Sequence, residues 1–234
     1  MFDAYYLFFF IPPMLFSLWA GWRTKSAFKK YSKVRTMTGL TGAEAAKRLL
    51  DRAGIADVEI VSTQGYLSDH YNPLTKKLAL SEPVYGSPSI SAVGVACHEA
   101  GHAIQHAKGY KPLWLRSLLV PTANIGSKLG YWVMFLGLIL MGSVGAFGVK
   151  VVIVGAVLFS AVLLFQLVTL PVEFDASARA KVLAVEHGII ASQEREGVDK
   201  VLNAAAMTYV AAAAATLMQL IYFLMRAGLL GGRR

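Results

Sequence analysis

The sequence predicts a multi-pass α-helical membrane protein with a small α+β domain. Its 234 residues are 56% hydrophobic and have a mean hydropathy of +0.51, which is too apolar for an ordinary soluble protein. Apolar stretches of membrane-spanning length recur along the chain, and polar segments separate the first from the second and the third from the fourth. The chain is therefore expected to pass between the bilayer and water several times.

Residues 1–22 are predicted to be a transmembrane anchor, because they form a mostly apolar stretch of about twenty residues. The stretch lacks an initial basic region and a small-residue cleavage site, so we expect it to be retained. A basic cluster without an acid follows it: Arg23, Lys25, Lys29, Lys30, Lys33 and Arg35. Basic residues beside a span favour the cytoplasmic side, which predicts the N-terminus outside and the next segment inside.

The net charge of +9 does not by itself indicate a nucleic-acid-binding protein. The positive charge is grouped beside an apolar span, and no basic motif interleaved with aromatic residues occurs, so we expect no nucleic-acid partner. The single cysteine, Cys97, excludes intramolecular disulfides and cysteine-rich zinc ribbons. Any metal must therefore be held by histidines and carboxylates.

Residues 23–112 are predicted to form the cytoplasmic α+β part. A capping-box pattern at 41–44 opens a helix that Gly54 ends. Short strands are predicted at 58–61 and 77–80.

A turn-rich stretch, residues 62–73, separates the two predicted strands. Within it we expect Asp69-His70 to form an Asx turn with a surface histidine. The second strand lies shortly before the next helix, where an edge strand could pair with an extended peptide.

The pentad His98-Glu99-Ala100-Gly101-His102 is the candidate functional site. Residues 89–107 are predicted to form one helix, ended by Lys108-Gly109. Residues four apart lie on one helix face, about 6 Å apart along the axis, so both imidazoles can reach one metal ion. Glu99 lies beside them, where it can polarise water instead of binding the metal. The pattern is typical of a zinc hydrolase.

Residues 113–171 are predicted to form a membrane hairpin with spans at about 127–147 and 151–170 and a turn at 148–150. Its many glycines could allow close helix packing. Gln166, near the inner end, is expected to bond a neighbouring helix or to line substrate access. The hairpin returns the chain to the side that carries the pentad.

Residues 172–202 are predicted to rejoin the cytoplasmic part, on a helix that starts near Pro171 and carries Glu173. Zinc in hydrolases usually takes three protein ligands, so Glu173 is predicted as the third and Asp175 as its rival. The two point about 200° apart and cannot both face one ion, and Asp175 is well placed to pair with Arg179. Glu173 could instead be a carboxylate favoured by the helix N-terminus.

Residues 203–226 are alanine-rich and are predicted to be a fourth transmembrane helix, followed by a tail at 227–234. The alternative is a packed core helix. The arginines of the tail favour it, because a fourth crossing would place them outside the cell, against the preference of basic residues for the cytoplasmic side.

Three segments together resemble the YugP-type bacterial membrane zinc metallopeptidases: LSDHYNP at 67–73, HEAGHAIQH at 98–106 and PVEFDA at 171–176. The layout is also similar to the HtpX and CAAX-processing gluzincin proteases. The resemblance implies a zincin-like metallopeptidase domain with one Zn²⁺ ion per chain. It implies His98, His102 and Glu173 as metal ligands and Glu99 as the catalytic base.

The chain departs from many gluzincins at Ser177, where they carry an aspartate that orients a ligand histidine. Asp175, Ser177 or a backbone carbonyl is the candidate for that task here. Candidates for stabilising the oxyanion are His187, Arg179 and tyrosines. His106 is predicted to lie about 12 Å along the axis from His98, too far to join the same site.

These observations predict a membrane-anchored, zinc-dependent endopeptidase acting at the cytoplasmic face on membrane proteins or peptides. The expected partners are such substrates, the lipid bilayer, other membrane proteins or a second copy of the chain. One alternative is an intramembrane zinc protease, although only a short apolar run precedes the pentad. The other is a catalytically quiet membrane scaffold, which the intact Glu99 disfavours.

Overall fold

The structure is a computed structural model that describes residues 4–230, and the outer part of the predicted tail lies outside this range. The fold is mostly helical, with one small sheet. In chain order the elements are α1 (Ala4–Tyr31), α2 (Gly42–Arg52), β1 (Glu59–Thr63), β2 (His70–Asn72), β3 (Lys77–Ser81), α3 (Glu82–Tyr85), α4 (Ile90–Ala107), α5 (Lys111–Ile125), a π-helical turn (Gly126–Gly130), α6 (Tyr131–Val144), α7 (Ala146–Glu186), a 3₁₀ turn (Ser192–Glu194) and α8 (Arg195–Arg226).

Four helical stretches are long and apolar enough to cross a membrane: Ala4–Tyr31, Lys111–Val144, Ala146–Glu186 and Ser192–Arg226. Their number agrees with the predicted multi-pass architecture. Each stretch is longer than the corresponding predicted crossing, and in α1 and α7 polar residues continue the same helix beyond the apolar part.

The chain divides into two compact units, of which the first is an apolar unit made of residues 4–19, 115–170 and 209–230 of the described chain. Its core contains Met134, Val152 and Phe223. Glycines let its backbones approach closely: a Cβ at Gly126 would lie 2.2 Å from the carbonyl oxygen of Leu158. The predicted close packing of glycine-rich helices is therefore present.

The turn of the hairpin lies at Gly145, so the predicted turn at 148–150 is wrong. Gly145 has a φ of +50°, a conformation that glycine adopts without steric cost. Gly148 lies in the first turn of α7, where an added Cβ would meet the backbone nitrogen of Met141 at 2.3 Å. That glycine is needed for close packing beside the turn and not for the turn itself.

The second compact unit contains residues 20–114 and 171–208 and is called the sheet unit here. In it, the predicted capping box is confirmed, because Thr41 and Glu44 exchange hydrogen bonds at the start of α2. The apolar face of α2, including Leu49 and Leu50, is buried in the core of this unit. Gly54, with a φ of +73°, follows the end of the helix as predicted.

The sheet has the strand order β1-β3-β2, with β1 parallel and β2 antiparallel to β3. The second predicted strand, β3, is therefore central, and the expectation that it offers a free edge is wrong. The stretch predicted as a turn contains β2, because His70 pairs with Ala79. Asp69 accepts hydrogen bonds from the backbone nitrogen and the hydroxyl of Ser81, which ties the start of β2 to the end of β3.

The helix predicted around the pentad is confirmed as α4. Ser89 caps its start by accepting a hydrogen bond from Ala92 N, and Gly109, with a φ of +62°, follows its end. Fourteen of its eighteen residues are buried. The helix is therefore the centre of the core of the sheet unit.

The expected helix start near Pro171 is wrong, because Pro171 lies inside the 41-residue helix α7. A proline inside a helix removes one backbone hydrogen bond and costs on the order of 3 kcal/mol. Val172 and Ala176, which follow it, are fully buried. Their packing offsets this cost, and the helix continues through the proline.

Candidate metal centre

Helix α4 places His98 and His102 one turn apart on the same face. Their ring centroids lie 4.7 Å apart, with the rings nearly perpendicular. Both side chains are largely buried, with 14% and 8% of their surface exposed. Two imidazoles are therefore held together, with little freedom to turn towards solvent.

Glu173, carried by α7, completes the group. Its Oε2 atom lies 3.2 Å from His98 Nε2 and 3.5 Å from His102 Nε2, and the residue is 3% exposed. Within residues 4–230, these are the three residues whose donor atoms come close enough to hold a metal ion, all within 4.8 Å of one another. The sequence-predicted ligands are thus brought together by the fold.

The two distances from the Glu173 carboxylate to the imidazoles suit zinc. Zinc–nitrogen and zinc–oxygen bonds in proteins are about 2.0–2.2 Å long, and tetrahedral geometry then separates two ligand atoms by roughly 3.3–3.6 Å. The carboxylate-to-imidazole distances of 3.2 and 3.5 Å match that separation. Two imidazoles and a carboxylate are also one of the usual donor sets of catalytic zinc sites.

Gly101 allows α7 to approach α4 at the centre. A Cβ at this position would lie 2.7 Å from the carbonyl oxygen of Ala176, closer than real Cβ contacts occur. Ala176 lies three residues after Glu173, less than one helical turn away. The lack of a side chain at Gly101 therefore lets α7 pack closely against α4. This close packing brings the Glu173 carboxylate to the two imidazoles.

The outer nitrogen of each imidazole is also bonded. His98 Nδ1 shares a hydrogen bond of 3.1 Å with the hydroxyl of Ser177, one of the candidates named for this task. His102 Nδ1 lies 3.0 Å from Oε1 of Gln105, a residue that is not among the predicted candidates. The available signal was a polar residue three positions after His102 on a buried helix face.

Asp175, the rival ligand, lies outside the donor group. Its Oδ2 accepts hydrogen bonds from Arg179 Nε at 2.6 Å and from Gln105 Nε2 at 2.7 Å. The predicted pairing with Arg179 is confirmed. Asp175 therefore contributes to the surroundings of His102 through Gln105.

Glu99 is a buried carboxylate near the donor group. It is 8% exposed, and its carboxylate makes no hydrogen bond within the part of the chain that the structure describes. Its negative charge is one cause of the raised pKa of His102. The carboxylate therefore lies near His102 without being one of the three donor residues.

The other singled-out residues lie apart from this group. Arg179 is paired with Asp175, and its guanidinium lies over the ring of Tyr110, 5.9 Å from the centroid. His187 follows the end of α7, about 21 Å along the axis from Glu173. His106 shares a hydrogen bond of 2.8 Å with the Tyr71 hydroxyl.

Cys97 is fully buried beside the pentad. Burial raises the pKa of its thiol to about 12, so the thiolate that reacts with electrophiles is absent at neutral pH. The residue is therefore an inert packing element.

Glu173 and His102 stabilise each other's charged form in the metal-free protein. Burial alone would raise the pKa of Glu173, but the hydrogen bonds from both histidines and their charges lower it overall. Burial alone would lower the pKa of His102, but the hydrogen bond to Glu173 and the charges of Glu99 and Glu173 raise it overall. The pair is therefore ionic across a wider pH range than isolated side chains would be.

We expect this pair to stabilise the metal-free fold most strongly between pH 4.5 and 6.5, the ordinary pKa values of the two groups. The stabilisation is lost as the pH falls through the lowered pKa of Glu173 or rises through the raised pKa of His102. Thermal unfolding of chelator-treated protein, compared with Glu173→Gln across this range, measures the effect. A constant difference in stability between the two proteins at all pH values would contradict it.

Comparison with known proteins identifies the family of the chain. The chain matches, over residues 6–228, the model of a family described as "Putative neutral zinc metallopeptidase". The chain belongs to this zinc metallopeptidase family. It is also 48% identical over 220 residues to the "Putative membrane protease YugP" of Bacillus subtilis (strain 168). The aligned residues cover 94% of this chain and 95% of that protein. No solved structure matches the chain.

Membership of the zinc metallopeptidase family agrees with the predicted resemblance and implies Zn²⁺ as the cofactor. The donor set of two histidines and one glutamate fits that ion. The similarity to a protein named as a membrane protease and the four apolar helices together show a membrane-associated protein.

Proposed function

We propose that the chain is a membrane-anchored zinc endopeptidase that hydrolyses peptide bonds of membrane proteins or peptides at the cytoplasmic face. The observation that carries this proposal is the approach of Glu173 to within 3.5 Å of both pentad histidines, beside the unpaired carboxylate of Glu99. The residues His98, His102 and Glu173 are assigned as metal ligands and Glu99 as the catalytic base.

Each of these residues has a distinct chemical task. The histidines offer neutral nitrogen donors, and Glu173 offers one carboxylate oxygen, which together make the three protein ligands usual in catalytic zinc sites. Held by these three residues, zinc would supply a Lewis acid that lowers the pKa of water and polarises a carbonyl. Glu99 accepts a proton from the attacking water and gives it to the leaving amine, so that one amide and one water become an acid and an amine.

Metal analysis of detergent-purified protein tests the ligand assignment. We expect about one zinc ion per parent chain, loss of the metal in Glu173→Ala and its retention in Asp175→Ala. Glu173→Ala removes a donor, whereas Asp175→Ala removes a carboxylate that faces Arg179 and Gln105.

The exposed Glu186 lies on the same helix as Glu173, so Glu186→Ala is the matched control and should keep the metal. Zinc that is absent from the parent chain, or that persists in Glu173→Ala, would overturn the assignment.

The proposed topology places the N-terminus outside the cell and the residues of the metal centre inside. Residues 23–112 and 172–202 then form the cytoplasmic part, residues 113–171 form a membrane hairpin and residues 203–226 form a fourth crossing. The basic cluster after α1 supports this orientation. The separation of a sheet unit, with chain boundaries near residues 114 and 171, supports the division.

Cysteine labelling of intact cells with a membrane-impermeant maleimide measures the orientation. Cys97 is buried with a raised thiol pKa, so the parent chain should give no background. We expect Lys150→Cys, near the hairpin turn, to be labelled in intact cells and Lys29→Cys to be labelled only after permeabilisation. Both lysines are exposed. The reverse pattern would contradict the proposed orientation.

A further inference from the structure

Gln105 is a fully buried amide whose polar atoms all have partners. Its Nε2 atom lies 2.8 Å from the carbonyl oxygen of Val172 and 2.7 Å from Asp175 Oδ2. Its Oε1 atom lies 3.0 Å from His102 Nδ1. The amide thus bridges α4 and α7 directly behind one of the histidines of the candidate metal centre.

The orientation of this amide is determined by its neighbours. The Val172 carbonyl and the Asp175 carboxylate can only accept hydrogen bonds, so the amide NH₂ must face them. The amide oxygen then faces His102, and because it can only accept, the proton of the neutral imidazole must be on Nδ1. The lone pair of Nε2 is left towards Glu173 and the metal position.

We infer that Gln105 is a positioning residue which fixes the tautomer and the ring orientation of His102 for metal binding. This inference rests on the proposed metal centre and adds a residue to it. Gln105 is not one of the three donor residues and acts only through its hydrogen bond to the His102 imidazole. Hydrogen bonds to the outer nitrogen of a ligand histidine typically change metal affinity by about 10–100-fold.

The rest of the network keeps the amide in place. Asp175 is held by two hydrogen bonds from Arg179, at 2.6 and 3.2 Å. The carboxylate therefore presents a fixed acceptor to Gln105 Nε2, and the Val172 carbonyl presents a second acceptor on the helix backbone. A reversed amide would place its oxygen against both acceptors, which is strongly unfavourable in a buried site.

The two histidines are supported differently. His98 Nδ1 meets the hydroxyl of Ser177, and a hydroxyl can donate or accept, so this contact does not select a tautomer by itself. His102 meets an acceptor whose orientation is fixed. Gln105 thus provides, from the metal helix itself, an acceptor of fixed orientation for His102, whereas position 177 faces His98.

Gln105→Leu tests the inference, because leucine is similar in size but has no acceptor. We expect cobalt and zinc to bind this variant about 10–100-fold more weakly in chelator competition. Gln193→Leu, at an exposed glutamine of the sheet unit, is the matched control and should bind as the parent does. Unchanged affinity in folded Gln105→Leu would overturn the inference. If the leucine variant does not fold, Gln105→Met, which also lacks the amide acceptor, is measured in its place with the same expected result.

Gln105→Glu separates positioning from packing. A carboxylate keeps the acceptor for His102 Nδ1–H but faces the Val172 and Asp175 oxygens, so we expect it to lower thermal stability more than Gln105→Leu does. The inference predicts the opposite order for metal affinity, with Gln105→Glu binding more tightly than Gln105→Leu. If Gln105 had only a structural role, the two variants would have the same order in thermal stability and in metal affinity. That result would overturn the inference.

The proton NMR spectrum of the Co²⁺-loaded protein gives a direct readout. We expect one shifted, exchangeable Nδ1–H signal of His102 in the parent chain and its loss through rapid solvent exchange in Gln105→Leu. Persistence of that signal in Gln105→Leu would count against the inference. A parent chain that binds neither cobalt nor zinc would instead reject the proposed metal centre, so the two failures are distinguishable.

Discussion

Replacing Glu99 by glutamine should lower the rate of peptide-bond hydrolysis by about two to four orders of magnitude while zinc stays bound. Glutamine has nearly the same shape but cannot accept the proton of the attacking water. Glu99 lies beside the donor group without belonging to it, so the metal should remain at about one ion per chain. Cleavage of fluorescein-labelled casein by the detergent-purified protein, with metal analysis of the same sample, measures both quantities.

The control for this prediction is Glu186→Gln, an exposed glutamate on α7, which should retain the parent rate. A Glu99→Gln protein that cleaves casein as fast as the parent would rule out Glu99 as the base. If zinc were lost together with activity, Glu99 would have to be reassigned as a ligand or as a support of the ligands.

Gly101→Ala should disrupt the metal centre although alanine is the smallest possible addition. The new Cβ would lie 2.7 Å from the Ala176 carbonyl oxygen, which belongs to a helix backbone and cannot rotate away. Relief of this clash requires α7 to move outward with Glu173, and the lost packing costs the fold about 1–3 kcal/mol. We therefore expect at least tenfold weaker zinc binding with lower thermal stability, measured by chelator competition and by unfolding in detergent.

Gly21→Ala is the matched control, because a Cβ at this helical glycine has no heavy atom within 4 Å. Alanine there should leave zinc affinity unchanged and raise helix stability by up to about 1 kcal/mol. Parent-like zinc affinity and stability in Gly101→Ala would show that the close approach of α4 and α7 is not required.

The sequence predicts those parts of the fold that depend on local pattern. The apolar lengths of the helices, the capping box at Thr41 and the continuous helix around the pentad are all readable because each signal lies within one segment. Glu173 can also be predicted as a candidate ligand from the sequence, because a membrane hairpin must bring the chain back to the side of the bilayer that it left.

Features that depend on tertiary contacts are not readable in this way. Nothing in the sequence of β3 distinguishes a central from an edge strand, since that depends on β2, whose three residues lie in a turn-rich stretch. The hairpin turn was expected at 148–150 because glycine serves equally in turns and in close helix contacts. Gln105 lies in the segment 98–106, but its role depends on the acceptors that α7 places around it.

The burial of α4 has a consequence for how zinc is acquired. A helix with fourteen of eighteen residues buried can expose its backbone amides only when the whole sheet unit opens, so these amides should be among the slowest to exchange with deuterium. The two histidines are then already in place before the ion arrives. We therefore expect zinc to bind to an existing site, unlike a zinc finger, which folds around its metal, and a chelator to yield an apoprotein that remains folded and can be reloaded.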